Sequence, residues 1–336
     1  MKTHHLPSRI VALRRSGFTL IEILTAVTVL TLMLLMVNQL VSSAAAVMSA
    51  SGKHLDADTQ ARLIFNRMAV DFSGMMKRTD VDYSTFKNAM TSNAQDGTDT
   101  GNTSHNDQLA FYSETHGYFS GTIQPAGTSK ADLSLVAYMV APVDSNGSLD
   151  TAAGTPVLQR LGKGLGWEPD TSGAGAWSNV AYLPATLVSG SNARWPSLFT
   201  TTTALDPDYR SVGDLVFRME YTYLLKPTST APATLSITPF YNTSGHTTVN
   251  GFKDVAAIVV TIAMLDNSSR LLVKNYANLI SGSATTFPDA VNGATPAAAW
   301  NANVNSATFT TAAGIPKTAA SAVHVYERYF YLNSSP

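Results

Sequence analysis

The sequence predicts an α+β chain: one long N-terminal helix, then an antiparallel β-rich domain with long loop insertions. Three observations carry this. Phe18–Val41 reads FTLIEILTAVTVLTLMLLMVNQLV and holds a single charge, Glu22. Beyond it, apolar residues recur at three- and four-residue spacing, the pattern of a helix with one buried face. From Asp80 onward, short β-branched and aromatic runs alternate with tracts rich in Gly, Asn, Thr and Pro, and strands gathered after a helix point to α+β.

The apolar run comes first. At about 1.5 Å per residue it covers roughly 36 Å, enough to cross a hydrocarbon core of about 30 Å with some tilt. The residues before it include Lys2, Arg9, Arg14 and Arg15 and no acid. Subtracting these four from 22 Lys+Arg leaves 18 bases against 23 acids, so residues 18–336 carry about −5 within a total of −1. A basic leader before an apolar span orients the span with its N-terminal side in the cytoplasm. A secretory signal peptide is the plain alternative, but the run exceeds the usual 7–15 apolar residues, and Ala44-Ala45-Ala46 makes a poor cleavage site. Neither a signal peptide nor a simple anchor explains Glu22. A carboxylate inside an apolar span costs about 2.5–3.5 kcal/mol and is read as functional.

Composition narrows the classes further. With 336 residues and 45% hydrophobic residues the chain can build a real core. No basic excess exists to neutralise phosphates, so nucleic acid is not an expected partner. Cys is absent, which removes disulfides, thiol nucleophiles and thiolate metal sites.

Arg14-Arg15-Ser16-Gly17-Phe18-Thr19-Leu20-Ile21-Glu22 resembles the type IV prepilin cleavage and methylation motif. The resemblance implies that a prepilin peptidase cuts after Gly17 and N-methylates Phe18. Gly17 and Phe18 are then the processing residues, and Phe18 and Glu22 the assembly residues. Residues 1–17 become a removable leader, 18–41 the transmembrane and assembly helix, 42–79 its amphipathic continuation and 80–336 an exported β-rich domain. Glycine lets the scissile bond enter a protease site in extended form. Cleavage creates a cationic amine, and Glu22 offers it an opposite charge, its own or a neighbour's. The value of such a pair lies more in setting register than in net stability.

In the continuation, Leu55, Ala61, Ile64, Met68, Phe72 and Met75/Met76 form the apolar face. Lys53, Asp56, Asp58, Arg62, Asn66, Arg67, Asp71 and Lys77 form the polar face, with Arg67 and Asp71 an i,i+4 pair. Gly52 weakens the helix between its two halves, and a separate anchor followed by a surface helix is the competing reading. Residues 88–106 read as a polar loop. Asp96, Asp99 and Asp107 suggest a calcium ligand set only loosely, because no D-x-D-x-D-G register exists; a solvated loop is preferred. Strands are expected at Asp107–Ser113, Leu133–Val140, Val212–Leu225, Val255–Leu265 and Ala322–Leu332. In the third, Leu215, Phe217, Met219, Tyr221 and Tyr223 alternate with Val216, Arg218, Glu220 and Thr222, so one face is expected to be buried. The fourth is expected to turn at Asp266-Asn267-Ser268 and return through Arg270–Val273 as a hairpin. Residues 168–180, 227–236 and 282–322 read as insertions, with order left open for 88–106 and 282–322.

Enzyme motifs are missing. The seven His form no H-E-x-x-H, and there is no G-x-S-x-G or Walker A. His324 lies in a strand, Gly162-x-Gly164-x-Gly166 reads as a loop, and Asp144/Asp150 and Asp206/Asp208 are loop acids. No catalytic residue, cofactor or metal is expected. The stretches FNRMAVDFSGMM, AYMVAP, PVLQRL, VFRMEYTYLL, VAAIVVTIAMLD and VYERYFYL together resemble J-class minor pseudopilins of type II secretion systems and their W-like relatives. The Ala/Thr-rich insertions depart from that shorter pattern. This resemblance implies a non-enzymatic subunit of a periplasmic pseudopilus that contributes to protein export. Its implied partners are the prepilin peptidase, other pseudopilins or pilins, the inner membrane and secreted cargo. A minor pilin or adhesin of a type IV pilus is the alternative, and a membrane-anchored periplasmic enzyme a more distant one. The expected location is the bacterial inner membrane, single-pass, with the C-terminal domain in the periplasm or on a filament.

Overall fold

The computed structural model describes residues 17–77, 83–86, 106–118, 130–150, 154–164, 209–239, 241, 252–273, 276, 279 and 286–332. At residues 49, 50, 53, 54, 83–86, 118, 130 and 131 it describes the backbone alone. The chain divides into two units, Met1–Gly52 and Lys53–Pro336. Helix α1 is Leu20–Ser73, so the division falls at the glycine that the sequence marks as its weak point. The architecture is α+β, a long apolar N-terminal helix plus antiparallel sheets, consistent with a pilin-like fold.

In the first unit, Leu20–Met48 is long and apolar enough to cross a membrane, and none of it is buried within the protein. Its threonines satisfy themselves. Thr25 Oγ1 donates to the Glu22 carbonyl at 3.0 Å, Thr28 Oγ1 to the Thr25 carbonyl at 2.8 Å and Thr31 Oγ1 to the Val27 carbonyl at 2.7 Å.

The second unit holds two sheets. The first contains β1 (Tyr83–Phe86), β2 (Gln108–Ser113), β3 (Gly117–Tyr118), β4 (Lys130–Ala131), β5 (Ser134–Val143), β6 (Thr155–Gly164) and β7 (Arg210–Gly213). Its order is β1-β2-β5-β6-β3-β4, with β7 also pairing β6. The second contains β8 (Val216–Leu225), β9 (Thr234–Ser236), β10 (Val255–Leu265) and β11 (Val323–Tyr331), in the order β11-β10-β8-β9. Short helices α2 (Asn267–Arg270), α3 (Pro296–Val304), α4 (Phe309–Ala313) and α5 (Lys317–Ala320) lie between β10 and β11.

Both sheets bury apolar residues against the C-terminal part of α1. Ala61, Ile64, Phe65, Met68 and Phe72 share one core with Phe111, Val136, Tyr138 and Leu158 of the first sheet and Met219, Tyr221, Ile258, Ile262 and Phe330 of the second. Phe72 stacks on Phe111 at 5.2 Å and meets Phe330 at 5.0 Å. Each such side chain contributes about 1.5–3 kcal/mol by leaving water. The helical periodicity is therefore right in phase but wrong at its ends. Leu55 is 66% exposed, while Asp71, assigned to the polar face, is fully buried.

A side-chain seam joins the sheets at β8. Asn106 stands in for a strand: its amide accepts from Met219 N at 2.7 Å and donates to the Phe217 carbonyl at 3.3 Å. Asp107 N donates to the Met219 carbonyl at 3.1 Å, and Asp107 Oδ2 accepts from Tyr221 N at 3.0 Å. Asp107 is thus a core residue rather than a candidate cation ligand, because its carboxylate completes backbone pairing where no strand lies alongside. Asn106 likewise leaves the expected loop; residues 88–105, with Asp96 and Asp99, and the tract 168–180 lie outside the described residues.

Strand β8 departs from the predicted single buried face: Arg218, Glu220 and Thr222 are at most 1% exposed. The reason is the cover packed on the outer face of the sheet, which buries that side as well. A bulge adds one residue to it: Val216 pairs with Met264 and Arg218 with Ala263, so Phe217 is the extra residue and faces the same side as Arg218. Phe217 therefore joins the outer cluster, where Phe287, Trp300, Phe309 and Ala313 cover the second sheet on the side away from α1. Most of the expected insertion 282–322 is this cover. Trp300 is 0% exposed, and its Nε1 donates to the Pro288 carbonyl at 2.8 Å. Within 227–236, Thr234–Ser236 forms β9.

Two other expectations are corrected. The hairpin after β10 is absent: Asp266 caps α2 instead, its Oδ1 accepting from Ser268 N and Ser269 N at 3.0 Å each. β10 pairs with β8 and β11. Gly162 and Gly164 lie in β6 rather than in a loop; the strand runs beside Gly117, where a Cβ would approach Gly164 N to 2.6 Å.

Candidate processing and assembly site

Gly17, Phe18 and Thr19 precede the helix in non-helical conformation, and α1 starts at Leu20. What starts it is a reciprocal cap. Thr19 N and Thr19 Oγ1 each donate to Glu22 Oε2 at 2.9 Å, and Glu22 N donates to Thr19 Oγ1 at 3.3 Å. This is a capping box, with Thr19 at the N-cap and Glu22 three residues on. It ties off donors at the helix start, which would otherwise be unsatisfied in lipid. It also places a carboxylate at the positive end of the helix dipole. Among the described residues only Oε2 is engaged; Glu22 Oε1 accepts no hydrogen bond and is open to an incoming cation.

The three predicted residues sit at one helix end. Gly17 has open space around it: a Cβ there would meet nothing within 4 Å. Phe18 is 84% exposed. Thr19 is the site residue that sequence reasoning missed. Its signal was present as T-x-x-E directly before an apolar run.

Two further polar clusters hold the second unit together. Asp71 accepts from Arg160 Nε at 2.6 Å and Arg160 Nη2 at 2.8 Å, and also from the Tyr138 hydroxyl. Arg67 Nη2 lies 3.4 Å away, so the expected i,i+4 pair exists within a larger buried network. Burial, with the Asp71 charge beside it, pushes the Tyr138 hydroxyl well above the ordinary tyrosine range. On the outer side of the second sheet, Arg218 Nη2 meets Asp289 at 2.5 Å and Glu220 at 3.0 Å, with its guanidinium 5.7 Å from the Trp300 ring centroid. These are ties between elements: each joins a sheet to the helix or to the cover.

The remaining candidates are dispersed. The Asp144 carboxylate caps the β5–β6 turn, accepting from Asn146 N and Ser148 N at 2.8 and 2.9 Å. His324 is in β11, 6.2 Å from the Tyr326 ring. Asp206 and Asp208 lie outside the described residues. Among the described residues no group of three or more His, Asp or Glu is placed to hold a metal ion.

Residues 13–38 match the model of the prokaryotic N-terminal methylation motif. No curated protein and no solved structure matches the chain. The matched segment contains the whole capping box, Gly17 and the first part of the apolar helix. The chain is type IV prepilin-like, and the motif implies processing by prepilin peptidase and assembly with other pilins.

Proposed function

We propose that the chain is a structural minor pseudopilin, assembled into the periplasmic pseudopilus of a type II secretion system, and that it catalyses nothing itself. Inserted as a precursor in the inner membrane, it is trimmed after Gly17, methylated on Phe18 and packed through its apolar helix beside other pilin-like subunits. The exported domain then contacts neighbouring subunits or secreted cargo.

The observation that carries this reading is the conjunction at one helix end. An unobstructed glycine, an exposed Phe18 and a carboxylate with one open oxygen precede 29 apolar-helix residues that nothing in the protein covers. A soluble enzyme has no use for such a helix. The diffuse resemblance of the later strands to J-class minor pseudopilins supports the secretion branch.

Deletion of the gene in its host, with secretion and surface filaments followed separately, tests the assignment. Loss of secreted proteins with filaments intact supports a pseudopilin. Loss of pili or twitching with secretion intact assigns the chain to a type IV pilus.

A further inference from the structure

Strand β11 lies at one edge of the second sheet, paired only with β10 among the described residues. Leu332 N donates to the Ala256 carbonyl at 2.9 Å, which fixes the residues that bond inward. In an antiparallel pair, bonded and non-bonded positions alternate. His324, Tyr326, Arg328 and Phe330 therefore bond to β10, while Val325, Glu327, Tyr329 and Tyr331 turn their N–H and C=O groups away from it. Among the described residues none of these four has a backbone partner.

Protein edges of this kind are usually blunted by Pro, a bulge, brevity or charge. β11 is nine residues long, keeps register with β10 throughout and holds no Pro, Gly or Lys. Its acid and its arginine lean inward. Glu327 Oε2 accepts from Thr261 of β10 at 3.2 Å. Arg328 Nη1 donates to Asn66 of α1 at 3.0 Å, with its guanidinium 5.4 Å from the Phe330 ring centroid. The cover packs on Val323 and Val325 at the start of the strand. Past them the outer side opens: Tyr329 and Tyr331, stacked at 6.4 Å, are 39% and 69% exposed.

We infer that β11 is a docking edge for an extended segment of a different protein, which adds beside it as an antiparallel fifth strand of this four-stranded sheet. A row of free N–H and C=O groups is matched by another extended backbone, so the ligand class follows from the edge itself. Side chains then choose the partner. Neither Glu327 nor Arg328 has a counter-ion among the described residues. They lie on opposite faces of the sheet, so the added strand meets them with an acid and a base at consecutive positions, acid first when it runs antiparallel. Beside Tyr329 and Tyr331 it presents β-branched or aromatic residues. A second copy is the poorer match: β11 paired with itself along its full length lays Glu327 against Glu327, like charges directly opposite. The inference holds whichever filament the chain joins.

The probe is a dye-labelled peptide with the sequence Val-Thr-Val-Glu-Lys-Thr-Val, titrated into full-length protein in detergent micelles and read by fluorescence anisotropy against empty micelles. Saturable binding is expected, and the peptide with Lys-Glu in place of Glu-Lys should bind at least about tenfold more weakly. Glu327→Lys should lose the first peptide to a similar degree and take up one with Glu-Glu at the centre. Tyr329→Pro removes an outward N–H and leaves the ladder to β10 whole, as Pro does on edge strands. It is expected to weaken binding at least about fivefold with an unchanged melting transition, whereas Tyr329→Phe should bind like the unmutated chain.

No saturable binding by the unmutated chain, equal binding of the two charge orders, or binding untouched by Tyr329→Pro overturns the inference. So does self-association, read by analytical ultracentrifugation, that Tyr329→Pro abolishes, since the edge then belongs to a second copy. Should Tyr329→Pro lower the melting transition, the charge exchange at Glu327 decides.

Discussion

Asp71 and Arg160 form a two-point hydrogen-bonded pair, Nε to Oδ2 at 2.6 Å and Nη2 to Oδ1 at 2.8 Å, with the carboxylate fully buried. The pair ties the last turn of α1 to the middle of the first sheet, 89 residues away in sequence. Breaking such a pair leaves one charge buried alone, at about 3–5 kcal/mol. Asp71→Ala is expected to lower stability by that much, and Arg160→Met by a similar amount. Denaturant unfolding of the full chain in detergent micelles measures both. The double variant should cost less than the sum of the two, because it strands neither charge.

Alkali is expected to destabilise the protein through its buried tyrosines. Burial raises the Tyr138 and Tyr221 hydroxyls well above the usual range and pushes Tyr276 up to about 12. Burial also raises Tyr326, which donates to Asp58 at 2.6 Å. In the unfolded chain these groups ionise near pH 10. Their stabilisation is therefore complete below about pH 10 and is lost as pH climbs toward the folded-state values, since the unfolded chain then binds fewer protons. Stability measured from pH 8 to 12 is expected to be flat and then fall. Tyr276→Phe should reduce the slope between 10 and 12; an unchanged slope contradicts the assignment.

The cover over the second sheet is expected to be part of the cooperative fold. Phe287 meets Trp300 at 5.4 Å and Phe309 at 5.8 Å, both edge-on, and all three are at most 2% exposed. Trp300→Ala removes the centre of this cluster, together with the hydrogen bond to Pro288. A loss of about 3–5 kcal/mol is expected, the range for a large aromatic deleted from a core. Loss of under 1 kcal/mol in the same unfolding assay would mark the cover as a detachable appendage.

How far the sequence was legible follows from what each signal averages over. The apolar span, the motif around Gly17 and the helical phase of Ile64, Met68 and Phe72 are periodic or contiguous, so they read directly. Asp71 did not, because an i,i+4 Arg–Asp pair looks like a solvated surface pair until Arg160 arrives from a distant strand. Phe217 continued a clean alternation that a single extra residue shifts. The cover was hidden by composition: Phe287, Trp300 and Phe309 are three aromatics diluted among Ala, Asn and Thr. Thr19 carries its signal only through its spacing to Glu22, because a hydroxyl beside an apolar run is uninformative until the T-x-x-E pair closes at the helix start.

Gly17→Ala separates recognition from folding. Around this glycine a methyl group meets open space, and its backbone is not among those with positive φ. The substitution should therefore leave the stability of the second unit, Lys53–Pro336, unchanged. If the bond after Gly17 is the one cut, as proposed, any effect is expected in the peptidase site, where an added side chain lies next to that bond. Precursor is expected to accumulate at full length on a gel, and mass spectrometry should find no N-methylphenylalanine terminus. Normal trimming would contradict the site.

Thr19 and Glu22 divide capping from assembly. Glu22→Gln keeps a side-chain oxygen for the Thr19 N–H but loses the charge. Thr19→Val keeps the charge but loses the hydroxyl half of the box, at about 0.5–2 kcal/mol of helix stability. If Glu22 acts through its charge on a neighbour's new amine, Glu22→Gln is expected to be trimmed normally and to enter filaments at least tenfold less. Thr19→Val should then fall between it and the unmutated chain, because a frayed first turn places Glu22 less firmly but does not neutralise it. Filament content relative to membrane content, read by immunoblot after shearing, orders the three. If Thr19→Val proves as damaging as Glu22→Gln, the carboxylate serves chiefly as a helix cap, and the pairing role falls away.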